Sequence, residues 1–196
     1  MREIPKATSL NCKSGVSSFV SRRTVIAYWL IPAESARVFF QALINDLARR
    51  YDAPLFGPHL TVHVGSNRAD AAESAISQAA HACKLMKLKA LKIGHSSEFI
   101  KTLFVQFALN EELRQLNEMI RHAAQDSSRY ELKPHLSLLY KRLPATARRE
   151  LVGSIEASFS HVTFDALKAV RCVSPTRSRK DVEAWRVVAT TELSAR

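Results

Sequence analysis

The chain has 196 residues, of which 46% are hydrophobic, and its 29 basic and 18 acidic side chains give a formal net charge of +11. This length and apolar content predict one domain, or two small lobes sharing a core, that folds without disulfides or structural metals. The apolar runs are too short for a membrane helix, and three scattered cysteines argue against a disulfide framework or a zinc knuckle. We therefore predict a soluble, cytoplasmic protein with no membrane association.

Positive charge is unevenly distributed along the chain. The first 23 residues carry five basic side chains and one acidic side chain, and residues 168–180 carry five basic side chains and no acid. We interpret residues 1–23 as an N-terminal extension that need not be ordered, and residues 24–196 as a single domain. The basic excess favours anionic ligands, of which phosphates are the natural candidates.

The first half of the chain predicts five elements. The β-branched and aromatic run TVIAYWLI (24–31) predicts a strand that ends before Pro32. A helix follows over 33–50, because its apolar residues recur at spacings of three and four on one face. A strand is then predicted over 59–64, a second helix over 69–86, and a short alternating strand in KLKALKI (87–93).

The second half predicts a similar series. TLFVQFAL (102–109) is typical of a strand, and Asn110 is placed to cap the helix that follows, because its side chain accepts from the free amides of the first turn. After the loop SSRYELK, a strand is predicted over 135–140 and a helix over 145–159. Two terminal strands, over 161–173 and 182–192, complete the chain.

The two halves share both the order and the spacing of their elements. Each half contains a strand, a helix, a strand that begins with Pro-His, another helix and a further strand. Thr24 and His59 are 35 positions apart, and Thr102 and His135 are 33 apart. This agreement predicts two structurally equivalent lobes related by a pseudo-twofold axis, with the two Pro-His strands facing each other.

The repeated Pro-His strands carry the residues best suited to catalysis. They read GPHLTVHV (57–64) and KPHLSLLY (133–140). Side chains alternate between faces of a strand, so His59 projects with Thr61, and His135 projects with Ser137. Each strand therefore presents one imidazole and one hydroxyl to a shared space.

Two imidazoles and two hydroxyls fit acid–base chemistry at a phosphodiester. One histidine removes a proton and the other delivers one, because an unperturbed imidazole titrates near pH 6.5. The hydroxyls donate hydrogen bonds to phosphoryl oxygens. A single His-x-Thr on a strand is more often structural than catalytic, but the matched pair favours catalysis. Which histidine is acid and which is base stays open, since the pseudo-symmetry makes them interchangeable.

His63 is predicted to share the face of His59 and Thr61. Four residues along a strand span roughly 13 Å, so His59 and His63 are too far apart to bind one zinc ion. We predict no metal site and no cofactor, and we place His63 at the edge of the pocket. The equivalent position in the second half is Leu139.

The chain resembles the 2H phosphoesterase superfamily, and in particular its cyclic phosphodiesterase branch, from about residue 24 to the C-terminus. The resemblance rests on the paired H-x-T/S motifs and on WLIP, FGPHLTVHVG and PHLSLLY. It implies an α+β, bilobal duplicated fold, with two antiparallel sheets and flanking helices around a central cleft. It also implies that His59 and His135 are the acid and base and that Thr61 and Ser137 bind phosphate.

The resemblance further implies the reaction. A monomeric enzyme would hydrolyse a nucleoside 2′,3′-cyclic phosphate or ADP-ribose 1″,2″-cyclic phosphate to a phosphomonoester without a metal. Tyr140, directly after the second motif, would bind the substrate by stacking on a base or ribose. Lys141 replaces the glycine usual at the next position, which changes the charge of the cleft rim.

Two other functions remain open at this point. The chain could be an RNA-end enzyme that acts on oligonucleotide 2′,3′-cyclic phosphates or 2′-5′ linkages, which the basic run at 168–180 favours. It could instead be a non-catalytic RNA-binding module, which the presence of all four motif side chains disfavours. Salt dependence separates oligonucleotide from mononucleotide substrates, because each phosphate contact releases counterions.

Overall fold

In a computed structural model of the protein, residues 21–128, 130–155 and 159–194 are described. Most of the predicted N-terminal extension, residues 1–20, lies outside them. Seven strands, five α-helices and one short 3₁₀ helix occur in these ranges, in the chain order β1 (Arg23–Pro32), α1 (Glu34–Tyr51), β2 (Leu60–Ser66), α2 (Ala69–Ala82), β3 (Met86–His95), the 3₁₀ helix (Phe99–Lys101), β4 (Leu103–Phe107), α3 (Glu111–Ala123), β5 (His135–Leu139), α4 (Ala145–Ser154), β6 (His161–Ser174), α5 (Arg179–Glu183) and β7 (Arg186–Glu192).

The helix boundaries follow from local sequence. The helix α1 ends at Tyr51 because Asp52 adopts a left-handed conformation with φ 45°. The helix α3 begins as predicted, since the Asn110 side chain accepts a hydrogen bond from the Leu113 amide at 3.0 Å. Its buried stripe, which includes Leu113, Leu116 and Ile120, packs toward the sheet.

All strands pair antiparallel, in the order β1-β2-β5-β4-β3-β6-β7, and β1 also pairs with β6. Six strands thus form a closed ring, and β7 extends it beyond β6. The two predicted sheets correspond to β6-β1-β2 with β7 and to β3-β4-β5. They are joined into one hydrogen-bonded sheet where β2 meets β5 and where β3 meets β6. The predicted α+β class is confirmed.

The strand order also confirms the predicted duplication. The first half runs β1-α1-β2-α2-β3 and the second runs β4-α3-β5-α4-β6. Exchanging equivalent strands (β1 with β4, β2 with β5, β3 with β6) leaves the ring order unchanged. The pseudo-twofold axis passes between β2 and β5, and the last strand of each half pairs with the first strand of the other. The two halves therefore do not form separate domains.

The C-terminal region differs from the sequence prediction. The strand predicted over 182–192 begins only at Arg186, because residues 179–183 form the short helix α5. A reciprocal capping box stabilises this helix: the Ser178 hydroxyl accepts from the Asp181 amide, and the Asp181 carboxylate accepts from the Ser178 amide. The helix predicted over 145–159 ends at Ser154.

The main core lies between the sheet and the helices. It combines strand residues such as Ile26, Leu30 and Leu136 with helix residues such as Phe40 and Ile76, all of them buried. The opposite sheet face, near β1, carries a separate buried cluster that includes Trp29. None of the helices in the described ranges is both long and apolar enough to cross a membrane.

Candidate active site

The two Pro-His motifs lie side by side at the pseudo-twofold axis. Leu60 of β2 pairs with Leu136 of β5. In an antiparallel pair this register places His59 opposite Ser137 and Thr61 opposite His135, with all four side chains on one face. The two histidines are then diagonal neighbours, roughly 7–8 Å apart at their Cα atoms. The predicted approach of the two motifs is confirmed.

Both catalytic candidates are held by the same backbone contact. The Nδ1 atom of His59 lies 2.7 Å from the Gly57 carbonyl oxygen, and Nδ1 of His135 lies 2.7 Å from the Lys133 carbonyl oxygen. A carbonyl only accepts, so Nδ1 carries the hydrogen in each ring. In the neutral form Nε2 then keeps a free lone pair and serves as a proton acceptor; when protonated, it donates.

His59 occupies an aromatic environment. Its ring stacks on Trp29, with centroids 3.7 Å apart and planes inclined by 16°, and Phe56 and Trp185 contact it edge-on. Only 7% of the residue is exposed. Burial, opposed by the hydrogen bond to Gly57 and assisted by the nearby positive charges of His135 and Lys168, lowers the pKa of His59 to about 4.

His135 is more accessible than His59. It contacts Phe104 edge-on, with ring centroids 5.6 Å apart. Burial lowers the pKa of His135, and the positive charge of Lys101 lowers it further, while the hydrogen bond to Lys133 and the negative charge of Glu98 act in the opposite direction. The two histidines therefore share a backbone setting and differ in their neighbours.

The two motif hydroxyls also differ. The Ser137 hydroxyl donates to the Ile100 carbonyl at 2.8 Å, and it opposes the effect of burial on the pKa of the nearby Tyr140 phenol. The Thr61 hydroxyl has no hydrogen-bond partner within the described part of the chain, and the residue is partly exposed. The Thr61 hydroxyl therefore keeps its hydrogen available to a ligand, whereas the Ser137 hydroxyl already donates to Ile100.

Tyr140 lies beneath the site. It is 3% exposed and stacks on Phe56 with ring centroids 3.8 Å apart. Burial raises the pKa of its phenol, so the hydroxyl stays protonated and able to donate. Because one ring face is covered by Phe56, stacking on a substrate base is less favoured than positioning Ser137. Substrate binding by Tyr140 stays a prediction.

The expectation that His63 shares the face of His59 is wrong. A β-bulge shifts the register between β1 and β2, so that Trp29 pairs with Thr61 while Tyr28 pairs with His63. His63 is fully buried, and its Nε2 lies 2.8 Å from Oδ2 of Asp126, in the loop after α3. Alternation of side chains fails at a bulge because one strand contributes an extra residue.

Several residues near the motifs could not be assigned from the sequence. Trp29 and Trp185 contact His59, Phe104 contacts His135, and the cations Lys101 and Lys168 each act on one histidine. Lys168 belongs to the basic run noted above, but its position beside the site depends on strand register. Within residues 21–128, 130–155 and 159–194, no three His, Cys, Asp or Glu side chains are placed to hold a metal ion.

The sequence matches one family along most of its length. The model of a family described as "Cyclic phosphodiesterase-like protein" matches residues 24–193. A curated relative, the cyclic phosphodiesterase of Arabidopsis thaliana, is 24% identical over 177 residues, which cover 88% of this chain and 97% of the relative.

Solved structures share the fold. LigT of E. coli, complexed with 3′-AMP, aligns with a TM-score of 0.55 at 14% identity and covers 86% of this chain and 97% of its own. LigT complexed with ATP gives a TM-score of 0.52 at 15% identity, covering 87% and 98%. The protein TT0787 of Thermus thermophilus gives 0.55 at 14%, covering 86% and 97%.

Proposed function

The chain belongs to the family of cyclic phosphodiesterase-like proteins, within the 2H phosphoesterase superfamily, and from this premise we propose that it hydrolyses a cyclic phosphate to a phosphomonoester. The substrate is a nucleoside 2′,3′-cyclic phosphate or ADP-ribose 1″,2″-cyclic phosphate. His59 and His135 supply the acid–base pair, and no metal takes part.

One observation carries this proposal. The two histidines are diagonal neighbours on one sheet face, each with Nδ1 held by a backbone carbonyl, so that both Nε2 atoms are free to exchange protons with a substrate. A separation of roughly 7–8 Å between Cα atoms leaves room for a phosphate between the rings. A structural histidine pair would have no reason to repeat this arrangement in both halves.

The different environments of the two histidines support different roles for them. The low pKa of His59, about 4, keeps it neutral near pH 7, and a neutral imidazole is a base. The more accessible His135 is the acid, and the negative charge of a bound phosphate favours its protonated form. Thr61 donates a hydrogen bond to a non-bridging oxygen, where negative charge accumulates in the transition state.

The reaction is then an in-line displacement by water. His59 Nε2 accepts a proton from the water molecule as its oxygen forms the new bond to phosphorus. The bond from phosphorus to one ring oxygen breaks, and His135 Nε2 delivers its proton to that oxygen. The products are a phosphomonoester and a free hydroxyl on the same sugar. Proton transfer between the two imidazoles through solvent restores the starting state.

A direct assay tests this function. The purified protein, with EDTA present, is incubated with adenosine 2′,3′-cyclic phosphate and with ADP-ribose 1″,2″-cyclic phosphate, and ³¹P NMR follows the loss of the cyclic ester. We expect conversion to a monoester that EDTA does not reduce. Absence of conversion of both substrates would contradict the proposal, and inhibition by EDTA would contradict its metal-independent form.

The structure also bears on the RNA-end alternative. Part of the basic run at 168–180 is already paired: Arg179 binds the Asp52 carboxylate at 2.6 Å. A neighbouring cation, Arg22, pairs with Asp181. These contacts reduce the charge available to a long phosphate backbone, so we rank the small cyclic phosphate first. An oligonucleotide substrate would instead show a steep fall of affinity with salt.

A further inference from the structure

A single row of side chains crosses the sheet through the proposed site. Pairing places Lys168 of β6 opposite Trp29 of β1, and Trp29 opposite Thr61 of β2. Thr61 lies opposite His135, and His135 opposite Gln106 of β4. Directly opposed residues point to the same face. Lys168 therefore lies on the face of the motif residues, two strand spacings, roughly 9–10 Å, from Thr61.

Lys168 is available to a ligand. It forms no salt bridge or side-chain hydrogen bond with the described residues, in contrast to Arg179 and Arg22, and it is only partly exposed. It lines a hollow of about 430 Å³, together with Ile31, Ala166 and Thr190. A cation in a concave site adjoining a catalytic face is suited to an anionic group of the substrate.

The pseudo-symmetry shows that Lys168 is not required by the fold. Trp29 and Phe104 are equivalent, because Trp29 opposes Thr61 and Phe104 opposes Ser137. The residue that opposes Phe104 on its other side is Gly94 of β3. A Cβ at Gly94 would lie 2.7 Å from the Phe104 ring, so this position is closed to a side chain. Within the described residues, only the His59 half carries a lysine at this strand position; in the other half Lys101, from the 3₁₀ helix, lies over the Phe104 ring instead, 4.8 Å from its centroid.

We infer that Lys168 binds a second phosphoryl group of the substrate, separate from the cyclic phosphate between the histidines, an inference that rests on the proposed function. The substrate class is then a sugar cyclic phosphate that also carries a phosphate or diphosphate, such as a 5′-phosphorylated nucleotide. Trp29 lies between the two phosphoryl positions, where its ring borders the sugar. Asp165 and Glu192 line the same hollow and repel an anion there. Arg37, the other cation of the hollow, is paired with Glu34, which leaves Lys168 to bind the second phosphate.

A pair of substrates that differ in one phosphate tests this inference. kcat and KM are measured for adenosine 2′,3′-cyclic phosphate with and without a 5′-phosphate. A charge-assisted hydrogen bond contributes enough to favour the phosphorylated substrate by about tenfold or more in kcat/KM. We expect the preference to lie mainly in KM. In Lys168→Met the ratio should fall to near one, and in Lys168→Arg most of it should remain.

A matched control separates local binding from overall charge. Lys84 is exposed, and it lies on the helix side of the sheet in the groove between α2 and α3. Lys84→Met removes the same charge and should keep the wild-type ratio. An equal loss in both variants would overturn the inference, as would a wild-type enzyme that does not discriminate. The same measurement with a dinucleotide that ends in a 2′,3′-cyclic phosphate shows whether an internucleotide phosphate binds at the same site.

The inference stays testable if no substrate is hydrolysed. Calorimetry then compares the binding of adenosine 3′-monophosphate with that of adenosine 3′,5′-bisphosphate, which needs no catalysis. A tighter bisphosphate whose advantage disappears in Lys168→Met supports the second phosphate site, even though the proposed reaction has failed. Equal affinities, or an advantage that survives in Lys168→Met, overturn it.

Discussion

The His59 half and the His135 half of the site share a backbone and differ in their surroundings. Each imidazole donates to the carbonyl two residues earlier, at 2.7 Å in both halves. His59 is covered face-on by Trp29, whereas His135 meets only the edge of Phe104. A duplicated fold thus supplies two equivalent imidazole positions, and neighbouring side chains bury one of them more deeply than the other.

This difference matters because acid and base need opposite protonation states at one pH. Burial disfavours a charged imidazole, so the covered histidine stays neutral and the accessible one more easily gains a proton from a bound anion. The same separation of environments would be impossible if both halves kept identical neighbours. Under the proposed function, divergence around His59 and His135, outside the repeated motif itself, gives a symmetric pair distinct roles.

The largest expected effect comes from removing either imidazole. His59→Ala and His135→Ala should each lower kcat by at least about a hundredfold, the lower end for a lost general acid or base. His63→Ala is a useful control, because His63 lies on the other face and should leave the chemistry largely intact wherever the protein remains folded. Near-wild-type turnover in either motif variant would contradict the assignment, with circular dichroism confirming the fold of each protein.

The next prediction concerns protein stability at the β-bulge that turns His63 away from the candidate active site. In the first half the bulge brings His63 to Asp126, and in the second half the equivalent position is Leu139, buried among apolar residues. Asp126→Ala leaves a buried imidazole without its partner and should lower the free energy of unfolding by about 1–3 kcal/mol. Urea denaturation measures this change.

A second substitution tests whether the buried imidazole itself is needed. Adding His63→Leu to Asp126→Ala reproduces the apolar arrangement of the second half. Replacing both polar partners by apolar groups is close to neutral, so we expect the double variant to recover part of the lost stability. A double variant less stable than Asp126→Ala would show that His63 makes another essential contact, for which Asn117, 3.4 Å from its Nδ1, is the first candidate.

The sequence could predict the elements and the motif pair, because both depend on local patterns. Apolar spacing located α1 and α3, and the repeated Pro-His strands located both imidazoles. The bulge at Val62 could not be predicted, since it depends on how β1 and β2 pair. For the same reason the sequence could not predict that Lys168, Trp29 and Thr61 pair across neighbouring strands. Each residue lies on a different strand, and only the register of the strands places them in one row.

A smaller effect distinguishes the first helices of the two halves. The Asn110 side chain caps α3, whereas α1 follows Ala33 and has no side-chain cap. Asn110→Ala should therefore lower the free energy of unfolding by about 1 kcal/mol. Asn110→Asp should keep most of the wild-type stability, because aspartate also caps a helix. Ala33→Ser adds the missing acceptor and should stabilise the protein slightly. Equal stability of Asn110→Ala and the wild type in urea would show that the cap is redundant.

The smallest expected effect tests the division of roles through the pH dependence of kcat/KM. The rate should rise through pH about 4 as His59, the proposed base, loses its proton. It should fall at a pH below 6.5 as His135, the proposed acid, loses its proton, since the pKa of His135 is lowered from 6.5. Lys101 lowers the pKa of His135 while Glu98 raises it. The positive charges of His135 and Lys168 lower the pKa of His59.

Lys101→Met removes a positive charge beside His135, which raises the pKa of that imidazole, so the descending limb of the profile should move to higher pH while the ascending limb stays in place. Lys168→Met should instead move the ascending limb to higher pH, because the positive charge of Lys168 lowers the pKa of His59. In the proposed assignment the plateau of kcat/KM between the two limbs keeps its height in Lys101→Met. With the roles reversed the plateau would fall, because the active form, with His59 protonated and His135 neutral, would become rarer. The two lysines thus report separately on the two halves of the site.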